Sequence, residues 1–310
     1  MPEPGGDARP SSTPETDAGE PLTAGATLGF VGLGAMGRPM ALRLLGAGFS
    51  VRVHNRSRGP VEELVAEGAT GADSPADAAE GAAAVFTMLP DAAVVRQVVT
   101  GTAGVLEGMA PGAVLVDTSS IDPGAAGELA EAVAERGGHM LDAPVSGGVQ
   151  GAADGALSIM VGGDGDVLRR CRPALDVLAR LVVHVGPSGS GQVCKLCNQM
   201  VVGVTIQAVA EALTVASKAG VDAATVRRAL LGGFAASTVL EVHGQRMLER
   251  DFAPGGRASL HRKDLDAALT LARSLATPVP ATALVHQQFV ALEGRGHGEA
   301  DHSALALLLE

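Results

Sequence analysis

Tryptophan and tyrosine are absent from this chain, and only six phenylalanines occur in its 310 residues. That removes the aromatic platforms on which single-stranded nucleic acid stacks. Positive charge is also scarce: 23 Lys and Arg face 34 Asp and Glu, a net charge of −11 with His neutral. Nonspecific nucleic-acid binding relies on a positive surface, so that class is excluded as an expectation. A small anionic substrate stays compatible, because a local pocket can be positive within an acidic protein. Cysteine is limited to Cys171, Cys194 and Cys197, too few for a disulfide scaffold or a four-ligand structural zinc site. No uninterrupted apolar run of membrane length stands out, and the N-terminus lacks the basic and apolar regions of a secretory signal. The expectation is a protein of the reducing cytoplasm, with no metal, no membrane and no nucleic acid as partner.

What is present divides into three parts. Residues 1–26, "MPEPGGDARPSSTPETDAGEPLTAGA", are rich in Pro, Gly, Ser, Thr and acid. Such a segment buries too little surface to offset its chain entropy and is expected to be a disordered tail. Residues 27–188 alternate short apolar strands with helical stretches, and residues 189–310 carry helical signals only. The expected fold class is therefore α/β: a Rossmann-type dinucleotide-binding domain and an all-α domain joined by a long helix. No internal repeat is apparent.

The first unit opens with "TLGFVGLGAMGRPMALRLLGAGFSVRVHNRS", which reads as strand, glycine turn, helix, strand. Gly32, Gly34 and Gly37 form G-x-G-x-x-G, with Leu33, Ala35 and Met36 between them. The first glycine permits the tight turn, the second admits a pyrophosphate, and the third lets the helix pack on the strand. The helix N-terminus then presents unpaired N–H groups to the phosphates. Where an NAD site commonly has an acid for the ribose 2′-OH, this chain has Asn55, Arg56 and Ser57. A guanidinium and a hydroxyl suit a 2′-phosphate, which a carboxylate repels. NADP is thus the expected cofactor, with NAD as the second choice. Ligands in such sheets bind beyond the carboxyl ends of the strands, which places Leu89, Pro90, Ser119, Ser120 and the Ser146-Gly147-Gly148 loop on one rim.

The all-α part begins with "QVCKLCNQMVVGVTIQAVAEALTVASKAG", a helix of about 42 Å. Its C-x-x-C pair is read as core packing, because buried cysteine behaves as a small hydrophobe and no second ligand pair follows. Lys195 is the exception in the apolar run. It is expected in the first turn, where the helix dipole and desolvation lower a lysine pKa and fit it for proton transfer. Asn198 and Gln199 follow on the same face.

These segments together resemble the β-hydroxyacid dehydrogenase family, of the 3-hydroxyisobutyrate dehydrogenase and tartronate semialdehyde (2-hydroxy-3-oxopropionate) reductase type. The likeness spans about residues 27 to 310 and rests on four motifs in order: "GFVGLGAMGRPMA", "DAPVSGGVQGAADGALSIMVGG", "GSGQVCKLCNQM" and "HRKDLDAAL". It implies that Lys195 is the general acid/base and that Ser146, Gly147 and Gly148 hold a substrate carboxylate. It implies further that Asn198 and Gln199 orient substrate, and that Lys263, followed by Asp264, approaches the cofactor. Family members often have Asn-Asn where this chain has Asn198-Gln199. The implied activity is hydride transfer between NADP(H) and a small β-hydroxy acid or semialdehyde, in a homodimer or homotetramer. Imine reductases share the fold but usually replace the lysine. Glyoxylate or succinate semialdehyde reduction, or a non-catalytic NADP-binding protein, are the other readings, and 6-phosphogluconate dehydrogenase has a larger helical domain than this length allows.

Overall fold

The computed structural model describes residues 19–310. Its strands are β1 (Thr27–Val31), β2 (Ser50–His54), β3 (Thr70–Gly71), β4 (Ala84–Thr87), β5 (Val114–Asp117), β6 (His139–Asp142), β7 (Val145–Ser146), β8 (Leu157–Gly163) and β9 (Ala179–Gly186). The first eight helices are α1 (Gly37–Gly46), α2 (Gly59–Ala66), α3 (Pro75–Ala79), α4 (Ala92–Thr100), α5 (Val105–Gly108), α6 (Pro123–Glu135), α7 (Gly148–Asp154) and α8 (Gly165–Leu178). Beyond β9 only helices follow: α9 (Ser190–Lys218), α10 (Ala223–Leu231), α11 (Thr238–Glu249), α12 (Ala258–Ser274), α13 (Pro280–Gly294) and a closing 3-10 helix (His302–Leu308).

The sheet runs β3-β2-β1-β4-β5-β6-β8-β7, with β9 against β8. The first six strands are mutually parallel, in the order that brings a dinucleotide to the ends of β1 and β4. β8 returns antiparallel to both β6 and β7, because the segment "HMLDAPVSGG" breaks at Pro144 into two short strands. Apolar side chains alternate to both faces. Leu28, Phe30, Met40, Leu44 and Phe86 pack on one side, and Val31, Val85, Leu115, Leu129 and Val133 on the other. Helix α6 starts as its sequence indicates, with Asp122 capping the Ala125 N–H and Pro123 in the first turn. The helical part has its own core around Ile206, Leu213, Leu265, Phe289 and Leu305.

Two expectations need correction. Residues 19–26 are not a free tail: Leu22 is 4% exposed and joins the core, and its N–H donates to Arg170 O at 2.9 Å. One large apolar side chain in a Pro-, Gly- and acid-rich segment is enough to dock it where the body offers a groove. Residues 1–18, the rest of the expected tail, lie outside the described residues. Leu22→Ala should lower unfolding free energy by ~2–3 kcal/mol in urea titration; an unchanged midpoint would mean the contact carries nothing. The second correction concerns membrane length. By length and composition α9 would cross a bilayer, yet Gln192, Lys195 and Gln207 along it are buried among protein.

Candidate active site

At the end of β1 the chain turns through Gly32 with φ +100, and a Cβ there would lie 2.4 Å from Met88 O. A Cβ on Gly37 would meet Gly32 O at 1.9 Å, so α1 begins pressed against the strand end. Gly34 is the opposite case: a Cβ there meets nothing within 4 Å. Open space over a helix N-terminus, lined by the exposed backbone of Gly34 and Ala35 and by half-buried Met36, fits a diphosphate. Leu33 is buried and its N–H is already used, donating to Asn55 Oδ1 at 3.0 Å. The Asn55 Nδ2 donates in turn to Ser57 O at 3.1 Å and Ser57 Oγ at 2.8 Å. Asn55 is therefore a brace between the first two strand ends. Arg56 stands exposed beside it with no bonded partner among the described residues, whereas Arg58 is paired with Asp73 at 2.9 Å.

The opposite rim is built from the ends of β4 and β5. Thr87 Oγ1 donates to Asp117 Oδ1 at 2.7 Å, and the Leu89 N–H donates to Ser119 Oγ at 2.9 Å. Ser119 is fully buried, so the expectation that it contacts cofactor is corrected: its hydroxyl holds the rim together. Burial pushes the Asp117 carboxyl above its ordinary range, against the hydrogen bonds from Ser119 and Thr87. Pro90 and Ser120 stay at the surface of the rim. Lys263 reaches them from α12, donating to Pro90 O at 3.0 Å and Ser120 O at 2.6 Å. This lysine clasps the helical part to the cofactor rim.

Helix α9 is set against the same rim by residues the sequence reading missed. Asp142, at the end of β6, accepts from the Gly189 N–H at 2.7 Å and the Gln192 N–H at 3.0 Å. Gln192 accepts from the Ile121 N–H at 3.1 Å and donates to Ser119 O at 2.9 Å. Close approach requires Gly191, where a Cβ would meet Asp142 O and Met160 O at 2.4 Å each. The available signals were a glutamine inside an apolar helix, three residues before Lys195, and an aspartate at a strand end.

Lys195 is the sixth residue of α9 and so lies in its second turn, not its first. Dipole influence fades beyond the first turn, and burial takes its place. Lys195 is 7% exposed, and burial pushes its ammonium below the ordinary lysine range, with Asp264 opposing and Lys263 reinforcing. Among the described residues none hydrogen-bonds its Nζ, which leaves that group for a ligand. One turn on, Asn198 Nδ2 donates to Gln199 Oε1 at 2.9 Å, and Gln199 Nε2 donates to Asp264 Oδ2 at 2.7 Å. Asp264 also faces Lys263 at 3.2 Å. The structure thus gathers Lys195, Asn198, Gln199, Lys263 and the 89–90 and 119–120 rim.

The Ser146-Gly147-Gly148 loop follows β7, paired with β8 through Ser146 and Ser158. Gly147 and Gly148 have φ of +140 and +65, values that favour glycine and turn the backbone of an exposed loop. The C-x-x-C pair departs from expectation. Cys171 is buried, but Cys194 is half-buried and Cys197 is exposed, so the pair is not core. Helix α9 is apolar on every side, and sequence alone did not reveal which side packs. Replacing both with Ser should leave kcat within about threefold, since neither is bonded to Lys195 or its partners, and surface changes away from such features are small. Loss of turnover in folded protein would assign the thiols a part in the chemistry.

Residues 27–186 match the family described as the NAD binding domain of 6-phosphogluconate dehydrogenase, and residues 189–309 match that described as NAD-binding of NADP-dependent 3-hydroxyisobutyrate dehydrogenase. The chain is 46% identical over 284 residues to 2-hydroxy-3-oxopropionate reductase of Escherichia coli K12, covering 91% of this chain and 97% of that protein. It is similar to the crystal structure of 3-hydroxyisobutyrate dehydrogenase from Salmonella typhimurium, with TM-score 0.84, 32% identity and coverage of 91% and 99%. A structure of Psf3 in complex with NADP+ and 2-OPP superposes with TM-score 0.85 at 27% identity, over 91% of this chain and all of that one.

Proposed function

The chain belongs to the β-hydroxyacid dehydrogenase family, and on that premise we propose that it reduces 2-hydroxy-3-oxopropionate, with Lys195 as the general acid/base. It is an NAD(P)-dependent oxidoreductase of small β-hydroxy acids and semialdehydes. The observation that carries the proposed role is a buried lysine whose Nζ has no hydrogen-bond partner among the described residues, at the junction of the nucleotide rim and the helical part. The choice of substrate is supported by the identity to the E. coli reductase and by the Asn198 and Gln199 amides one turn beyond that lysine.

The Ser146 hydroxyl and the Gly147 and Gly148 N–H groups receive the substrate carboxylate. Lys195 donates its proton to the carbonyl oxygen during reduction and takes it back from the hydroxyl during oxidation. Burial lowers the lysine pKa, which eases release of its proton to the carbonyl oxygen in reduction. Gly34, Ala35 and Met36 hold the diphosphate, Arg56 and Ser57 the 2′-phosphate, and Leu89 and Pro90 flank the cleft. Bound NADP(H) supplies or accepts the hydride. Retention of the lysine favours this reading over an imine-reductase-like or non-catalytic one.

A second copy of the chain is the proposed partner. Val193, Val201, Ala208, Ala212 and Val215 form one exposed apolar stripe along α9, with Val201 68% and Val215 67% exposed. A contiguous stripe of this kind marks an interaction surface. Sedimentation velocity showing a monomer would contradict it.

The test of function is a turnover panel of tartronate, methylmalonate and succinate semialdehydes and glyoxylate, each with NADPH and NADH. The highest kcat/KM is expected for tartronate semialdehyde with NADPH. A higher value for another aldehyde would replace the substrate, and no turnover of any would remove the enzymatic reading.

A further inference from the structure

Three histidines from three elements form one hydrogen-bonded chain beside the catalytic helix, and the reaction described above uses none of them. His261 Nδ1 and His302 Nδ1 are 2.8 Å apart, and His302 Nε2 and His243 Nε2 are 3.1 Å apart. At the inner end His261 Nε2 lies 3.1 Å from the main-chain oxygen of Gln199. At the outer end His243 Nδ1 lies 3.5 Å from Asp301 Oδ1. Asp301 is fully buried and accepts from the Gly255, Gly256 and Ser303 N–H groups and from Ser303 Oγ.

The inner end dictates where the protons sit. A carbonyl oxygen only accepts, so His261 Nε2 carries hydrogen and its Nδ1 is a bare acceptor. His302 Nδ1 must then donate, which leaves His302 Nε2 to accept from His243 Nε2–H. The remaining nitrogen, His243 Nδ1, faces Asp301 without a hydrogen-bond partner among the described residues. His261 and His302 are therefore neutral rings with their protons placed. Burial agrees with this order. It pushes His261 down to about 4 against the pull of Asp264, and pushes His302 well below the ordinary histidine range, with His261 and His243 adding to the effect. Burial alone would raise the Asp301 carboxyl, but His243, His302, Ser303 and the Gly256 N–H hold it below the carboxylate range.

We infer that His261 is a positioning residue for the reaction: it fixes the main chain of the catalytic helix at Gln199 while Asp264 fixes the side chain of the same residue. His261 and Asp264 are one turn apart on α12, so a single helix face grips Gln199 at two points. Gln199 in turn orients Asn198, one turn beyond Lys195. The approach depends on Gly203, where a Cβ would lie 2.9 Å from His261 Nε2, and the ring is held against Phe289 at 4.9 Å. The role rests on the reading of Lys195 and its neighbours as the active site.

Charged groups around the chain are Asp264, Lys263 and Lys195 near its inner end and Arg246 and Asp301 near its outer end. A proton added to His261 Nδ1 or His302 Nε2 would set two N–H groups head to head at 2.8 or 3.1 Å, so acid breaks the strut at a nitrogen–nitrogen contact. His243, Asp301 and His302 also place donor atoms within 4.8 Å of one another, as a metal would require. Against a metal, both Asp301 oxygens are already engaged and Arg246 stands 3.7 Å from one of them.

Nitrogen-15 NMR of the histidine-labelled wild-type protein at neutral pH tests the proton order without turnover. Expected are His261 as the Nε2–H tautomer and His302 as the Nδ1–H tautomer. Either ring in the other tautomer, or one equivalent of bound zinc by elemental analysis, would overturn the chain. His261→Gln keeps an N–H near the Gln199 oxygen and should hold kcat/KM within about threefold, whereas His261→Phe should lower kcat/KM for the semialdehyde roughly tenfold, the effect of one lost hydrogen bond. NADPH affinity should be unchanged in both, and the acid limb of the pH profile should move in both, because neither variant keeps the His261–His302 nitrogen–nitrogen contact. Wild-type kinetics in folded His261→Phe, or equal losses in both variants, would overturn the positioning role.

Discussion

Lys195→Ala should lower kcat by about a hundred- to ten-thousandfold while NADPH still binds with its wild-type affinity. The range follows from what is removed. General acid–base catalysis alone contributes that factor, and a cation beside the developing alkoxide places the loss toward the upper end. The lysine is buried at 7% exposure and its Nζ is hydrogen-bonded to no group among the described residues, so the substitution breaks no hydrogen bond described for the fold. Lys195→Arg separates charge from proton transfer. A guanidinium stays protonated at working pH, so it can stabilise negative charge but cannot accept the hydroxyl proton. It should therefore fail to restore oxidation. A lysine that only lines the helix would leave kcat nearly normal in both variants. Retained cofactor affinity, read by nucleotide fluorescence titration, ties the loss to the chemical step.

NADPH should be used with a kcat/KM about ten- to a hundredfold above that for NADH, the value of a charge-assisted contact to the 2′-phosphate. Arg56, at the end of β2, is exposed and has no bonded partner among the described residues, and Arg58 two residues on is already paired with Asp73. Arg56→Ala should therefore remove most of the preference and Arg58→Ala little of it. Asn55→Asp should reverse the preference. The new carboxylate can still accept from the Leu33 N–H, so the turn is kept, while the two bonds to Ser57 are given up and a negative charge meets the phosphate. Equal efficiency with the two cofactors in the wild type would refute the assignment of Arg56.

Local patterns were legible where a residue's neighbours in sequence are also its neighbours in space. Gly32, Gly34 and Gly37 lie within one turn, and the alternation of short apolar strands with helices indicated a largely parallel sheet before any topology was known. Lys195 stood out as a charge in an apolar run. What stayed hidden was set by partners far along the chain. Leu22 looked like part of a polar tail because its groove includes Arg170. Ser119 looked available to a ligand until the Leu89 N–H and Gln192 were placed beside it. Cys194 and Cys197 sat in a helix apolar all round, where periodicity does not distinguish a packed face from an open one. The histidine chain joins α11, α12 and the final 3-10 helix, and no spacing in the sequence marks it.

The central claim is that this cleft passes a hydride between cofactor and the aldehyde carbon of a small semialdehyde. The direct measurement is reduction of tartronate semialdehyde by the wild-type protein with NADPH deuterated at the transferred position, followed by mass spectrometry and proton NMR of the product. The account predicts one deuterium per product molecule on the new carbinol carbon, matched to the NADPH oxidised. NADPH oxidation with unlabelled product, or no oxidation at all across the aldehyde panel, would contradict it.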